Sequence, residues 1–148
     1  MSYNIICQYS DEKCSQYLDE TVKDTITRTL DYLGKNAENL EISVVFADME
    51  EIQDLNRRFR NVDKPTNVLS FPNDGIFLGD IVLCYDVIRN EALEQNKMFD
   101  SHMIHLIVHS ILHLLGYDHI SDDEAEEMES LEIKILDEVF GIANPYLT

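Results

Sequence analysis

Basic residues are scarce in this 148-residue chain. Eleven Lys and Arg stand against twenty-nine Asp and Glu, for a formal net charge of −18. A uniformly acidic surface repels phosphate and slows association with any polyanion. The three cysteines, Cys7, Cys14 and Cys84, are odd in number and have no CxxC spacing. That argues against a disulfide framework or a cysteine metal site, and the expectation is reduced, partly buried thiols. Glycine and proline are few and no tract is of low complexity, so the chain reads as globular. No apolar run approaches the ~20 residues of a membrane span, and a basic-then-apolar leader is lacking. The expected compartment is the cytoplasm, with no membrane partner. With 45% hydrophobic residues, the length suits one domain over 1–148 with a core of its own.

What is present is a regular interleaving of strand and helix patterns. Tyr3 to Tyr9 is β-compatible. From Ser15 to Leu33, the residues Leu18, Val22, Ile26, Leu30 and Leu33 recur at helical spacing until Gly34. Leu40 to Ala47 alternates as a strand. Asp48, with Glu51 three residues on, predicts a capping box, followed by a short helix burying Ile52, Leu55 and Phe59. Pro65 ends that helical run, and Val68 to Phe71 and Ile76 to Cys84 read as strands. Gly79-Asp80 marks a bulge or a close backbone approach in the second of these. A helix from about Asp86 to Gln95 comes next, then one from about Ser101 to Leu115. Ser121 with Glu124 opens a final helix to about Phe140, with Met128, Leu131, Ile135 and Val139 inward. The class is α/β (α+β): a small mixed sheet of about four strands with five to six helices, in three layers.

The charges are unevenly placed. Arg57, Arg58, Arg60 and Lys64 fall within eight positions at the end of the second helix, where cations also suit the helix dipole. The acids crowd between Asp122 and Glu138, a run that reads as a solvated helix face.

The chemistry concentrates in His109-Ser-Ile-Leu-His113-Leu-Leu-Gly116-Tyr-Asp118-His119. Four-residue spacing on a helix puts two imidazoles on one face, one turn apart. Gly116 stands where a helix stops in a left-handed conformation, so the chain can double back and bring His119 to the same point. Three neutral imidazoles with an open fourth position describe a catalytic zinc site. His105 extends the stripe to i, i+4, i+8, but a helix drifts about 40° over each four-residue step, so three successive turns converge poorly. The ligand set is therefore His109, His113 and His119. His105 is expected to be buried or to support the ligands from behind, and His102 to face solvent at the helix start. Asp118 is placed either to orient an imidazole or to cap the turn. In the zinc-protease pattern HExxH, the residue after the first His is the catalytic Glu. Here it is Ser110, which weakens a peptidase reading.

The HxxxHxxGxDH pattern resembles the signature of the YbeY endoribonuclease family. Arg60-Asn-Val-Asp-Lys-Pro-Thr-Asn-Val-Leu-Ser-Phe-Pro72 is similar to that family's second block, and Leu78-Gly-Asp-Ile81 to a third. Ser110 departs from the pattern, which usually has Gly there, and slightly altered close packing is the expected consequence. The resemblance implies His109, His113 and His119 as metal ligands and Arg60 as the functional arginine. Without the family block, Arg60 reads rather as an exposed residue at a helix end. As a catalytic group it would pair its planar guanidinium with phosphate oxygens. The resemblance also implies zinc-dependent cleavage of single-stranded RNA in rRNA processing, notably maturation of the small-subunit rRNA 3′ end, and ribosome quality control. The donor set equally suits nickel, copper or iron. Two other functions remain open: an assembly factor with structural zinc that binds rRNA or ribosomal proteins of the small subunit, and a metal-dependent hydrolase of another substrate such as peptides. Thr66, Asn67 and Ser70 either contact RNA or satisfy a turn.

Overall fold

The computed structural model describes residues 3–10, 14, 16–117 and 121–146. Its elements follow in the order β1 (Asn4–Tyr9), α1 (Gln16–Tyr32), β2 (Glu41–Phe46), α2 (Met49–Arg60), β3 (Val68–Pro72), β4 (Phe77–Leu83), α3 (Tyr85–Glu94), α4 (Phe99–Leu114) and α5 (Asp122–Phe140). Every element expected from periodicity is present. The strands form one sheet in the order β1-β2-β4-β3, parallel through β1, β2 and β4, with β3 antiparallel on the edge beside β4. Among the described residues, no helix is long and apolar enough to cross a membrane.

Two helices cover one face of the sheet. Ile42, Val44 and Phe46 of β2 pack with Val22, Ile26 and Leu30 of α1 and Ile107 and Ile111 of α4. On the opposite face, Ile52 of α2 packs on Leu69, Val82 and Cys84. A third cluster joins Val108 and Leu112 of α4 to Met128, Ile135 and Leu136 of α5. α4 is thus held by the sheet and α1 on one side and by α5 on another. The strip between those two faces carries its histidines.

The glycine in β4 makes both a bulge and a close approach. Residues three apart on a regular strand face opposite sides of a sheet, yet Leu78 and Ile81 share one core. The ladder with β2 pairs Glu41 with Phe77 but Ile42 with Gly79, leaving Leu78 as the extra residue. Gly79 has φ +141°, and a Cβ there would stand 2.2 Å from the carbonyl oxygen of Phe71.

The capping box on α2 forms as expected. The Glu51 amide donates to Asp48 Oδ1 at 2.8 Å, and the Asp48 amide to Glu51 Oε1 at 3.3 Å. The buried stripe of this helix differs from the expected one. Phe59 is 59% exposed, whereas Asn56 is buried and donates from Nδ2 to the Lys64 carbonyl at 2.9 Å. The last turn of α2 outruns the sheet, so Phe59 meets the edge-strand residue Phe71 rather than a core.

His102 also departs from expectation. α4 starts at Phe99, which turns His102 inward to 5% exposure against α3, with its Nε2 2.8 Å from Glu91 Oε1. α4 closes in a Schellman arrangement. The Tyr117 amide donates to the Leu112 carbonyl and the Gly116 amide to that of His113, each at 3.0 Å, with Gly116 at φ +102°.

Gly79→Ala is expected to lower unfolding stability by about 2–4 kcal/mol, because the new methyl meets backbone. Gly75→Ala, also at positive φ but in open space, should cost about 1 kcal/mol. Urea unfolding of the two variants in parallel separates steric exclusion from dihedral strain.

Candidate active site

A cleft of about 790 Å³ runs between the edge strand β3 and the histidine strip of α4. One wall is the segment from Thr66 to Pro72, the other holds His105, His109 and His113, and Phe59 and Arg60 stand at the end of α2. In a chain with twenty-nine acidic residues, no Asp or Glu is among the described residues lining this cleft.

The histidines divide as the helical drift requires. His109 Nε2 and His113 Nε2 lie 3.1 Å apart, with the rings edge to face at 4.7 Å between centroids. His105 lies on the same wall but does not join the pair: its Nε2 meets Glu132 Oε1 and lies 3.4 Å from the Tyr146 hydroxyl. Asp118 and His119 lie outside the described residues. Among the described residues, no group of three or more His, Cys, Asp and Glu side chains gathers as a metal cage.

The donor chemistry of the pair fits a zinc ion. Two nitrogens each ~2.0–2.1 Å from one tetrahedral zinc stand about 3.3–3.4 Å apart, close to the separation found. The same separation also serves a hydrogen bond from one ring to the other. Which nitrogen of His109 carries the proton is set from behind, where Nδ1 lies 2.9 Å from Glu132 Oε2. A carboxylate accepts and does not donate, so Nδ1 holds the hydrogen and Nε2 keeps its lone pair toward the cleft.

Glu132 is the site residue that sequence reasoning missed. It lies on α5 at 1% exposure, in the run read as a solvated acidic face. Burial alone would raise its pKa. Hydrogen bonds from His105, His109 and the Tyr146 hydroxyl outweigh that and hold the carboxyl at about 2. The Tyr146 hydroxyl donates to Glu132 Oε1 at 2.8 Å, and burial together with this carboxylate pushes the phenol up. The signal available in the sequence was spacing: Glu132 sits four residues after Met128 and four before Leu136, both buried.

Arg60 is exposed at the last helical position, before Asn61 takes the left-handed conformation at φ 60°. Arg57 and Arg58 both pair with Asp54, whereas Arg60 makes no ion pair among the described residues and lines the cleft. The following loop is tied down by Asn56 on the Lys64 carbonyl and by Gln53 Nε2 donating to Asp63 Oδ1 at 3.1 Å. Of the polar loop residues, Asn67 is committed inward, donating from Nδ2 to Glu91 Oε1 at 2.9 Å. Ser110 is fully buried, and its Oγ has no hydrogen-bond partner among the described residues.

A family model described as endoribonuclease YbeY matches residues 4–140. The chain belongs to the YbeY family. Its relatives named endoribonuclease YbeY include one from Idiomarina loihiensis, 48% identical over 136 residues that cover 88% of this chain and 83% of the relative. Another, from Colwellia psychrerythraea, is 52% identical over 116 residues, 74% of each chain. The solution structure of TM1509 from Thermotoga maritima superposes with a TM-score of 0.66 at 26% identity, covering 97% of this chain and 99% of that one. The fold shared with that structure therefore extends across nearly the whole chain.

Glu132→Ala would leave His105, His109 and Tyr146 without their shared acceptor inside the protein. The expected loss is about 3 kcal/mol of unfolding stability. Glu132→Gln keeps one acceptor oxygen and should lose less, and thermal and urea unfolding of both variants measures the difference.

Proposed function

We propose that this protein is a zinc-dependent, single-strand-specific endoribonuclease of the cytoplasm. Its work is rRNA processing, notably maturation of the small-subunit rRNA 3′ end, and ribosome quality control. The observation that carries the chemistry is the His109–His113 pair, with Nε2 atoms 3.1 Å apart, in a cleft that also holds Arg60 and is lined by no Asp or Glu among the described residues. The family membership supports the substrate class, since the relatives are named endoribonucleases.

His109 and His113 would hold the metal, with His119 as the third ligand that the family resemblance implies. Glu132 keeps a His109 proton on Nδ1, which in the neutral ring leaves the Nε2 lone pair to bind the ion. A zinc ion bound there supplies Lewis acidity to a phosphoryl oxygen or lowers the pKa of a water. Arg60 pairs with the non-bridging oxygens and stabilises the charge that grows on them as the phosphodiester breaks. A product ending in a 2′,3′-cyclic phosphate identifies the 2′-hydroxyl as the nucleophile.

The net charge of −18 makes free RNA a poor long-range target. It favours presentation of the strand by a basic partner, such as a ribosomal protein of the small subunit. The same charge favours a second reading, an assembly factor in which the metal is structural. On that reading, chelation lowers the melting temperature with no cleavage to lose.

The test is cleavage of a single-stranded RNA oligonucleotide, with chelation and zinc add-back. Wild type should cut, stop on chelation and recover with zinc. His113→Ala should be inactive, and Arg60→Glu should fall by about 10²–10³ in kcat/KM. Equal cutting by all samples, or none with zinc still bound, overturns the nuclease reading. Separately, Glu132→Gln should weaken zinc affinity by about 10–100-fold, measured by competition with a chromogenic chelator.

A further inference from the structure

Among the described residues, Phe59 is the most exposed aromatic, and it is so at the cleft. Two other tyrosine or phenylalanine side chains are exposed among the described residues, Tyr32 at 38% and Tyr146 at 44%, against 59% for Phe59. The Phe59 ring is not loose. It meets Phe71 edge to face, with centroids 5.2 Å apart and planes at 69°, and the Arg58 guanidinium lies 5.3 Å from its centroid. Both phenylalanines line the same cleft as Arg60, His109 and His113. A rigid aromatic beside a cation and a phosphodiester-cleaving centre has the features of a single-strand stacking platform, where a base lies on a ring while arginine engages its backbone.

We propose that Phe59, braced by Phe71, is a nucleobase-stacking subsite that holds one unpaired base of the RNA next to Arg60. This deepens the endoribonuclease reading and rests on it. The subsite accounts for two features together. A base inside a duplex is stacked on both faces and has none to offer, so the platform admits single strands. A protein of charge −18 gains little from general attraction to phosphate, and stacking supplies affinity that salt does not screen.

The test is fluorescence anisotropy of labelled single-stranded RNA in the His113→Ala background, with wild type followed for cleavage alongside. Phe59→Leu keeps size and apolarity but removes the π-face, and it should weaken Kd by about 5- to 100-fold. Phe59→Trp should restore binding. The slope of log Kd against log salt should stay put for Phe59→Leu, while Arg60→Gln should reduce it by about 0.7. Abasic substitution, moved along the oligonucleotide, supplies a readout independent of folding. One position should weaken binding by the Phe59 protein and have no further effect on Phe59→Leu.

If wild type cuts RNA while Phe59→Leu binds as tightly as Phe59, with no abasic position distinguishing them, the subsite is overturned and the nuclease reading stands. If wild type neither binds nor cuts single-stranded RNA, both fall together.

Discussion

The site depends on one carboxylate withdrawn from water. An ionised Glu inside a protein is tolerated when donors surround it, because the cost of desolvation is otherwise several kcal/mol. Glu132 meets that condition with His105 and His109 from α4 and Tyr146 from beyond α5. The geometry works in both directions. The donors keep the carboxylate ionised, and the carboxylate fixes the register of α5 against α4 and the tautomer of His109. Packing and chemistry are therefore not separable here. The contact that orients the His109 imidazole is also one that holds two helices together.

This coupling explains which parts of the molecule could be read from sequence. Ile42, Val44 and Phe46 alternate because one face of β2 is buried, and Asp48 with Glu51 caps α2 through bonds that need no distant partner. Such features are local and visible. The four-residue interval of His109 and His113 is likewise a property of one helix, as is the divergence of His105. Glu132 was hidden because it stands among acids that do face solvent, and what distinguishes it is a tertiary contact. His102 and Phe59 failed in opposite directions for one reason. Periodicity tells which residues share a helix face but not how far the covering element extends, so His102 is covered by α3 while Phe59 projects past the sheet.

Charge teaches the same distinction between sum and placement. The net value argues against a polyanionic substrate, and the acidic run on α5 does face outward except at Glu132. Yet the described cleft wall carries no carboxylate, and the arginine at its end makes no ion pair among the described residues. Field effects at long range and contact energies at short range thus have opposite signs in this molecule.

Beneath the cleft, Asn67 and His102 both bond the same Glu91 oxygen, at 2.9 and 2.8 Å. Asn67 belongs to the loop forming one bank and His102 to the helix forming the other, so a single carboxylate from α3 is a keystone between them. Spreading the banks would strip a carboxylate of donors, at about 1.5–3 kcal/mol for each bond lost. The two banks are accordingly pinned to each other through α3, so the width of the groove and the seating of that helix are coupled.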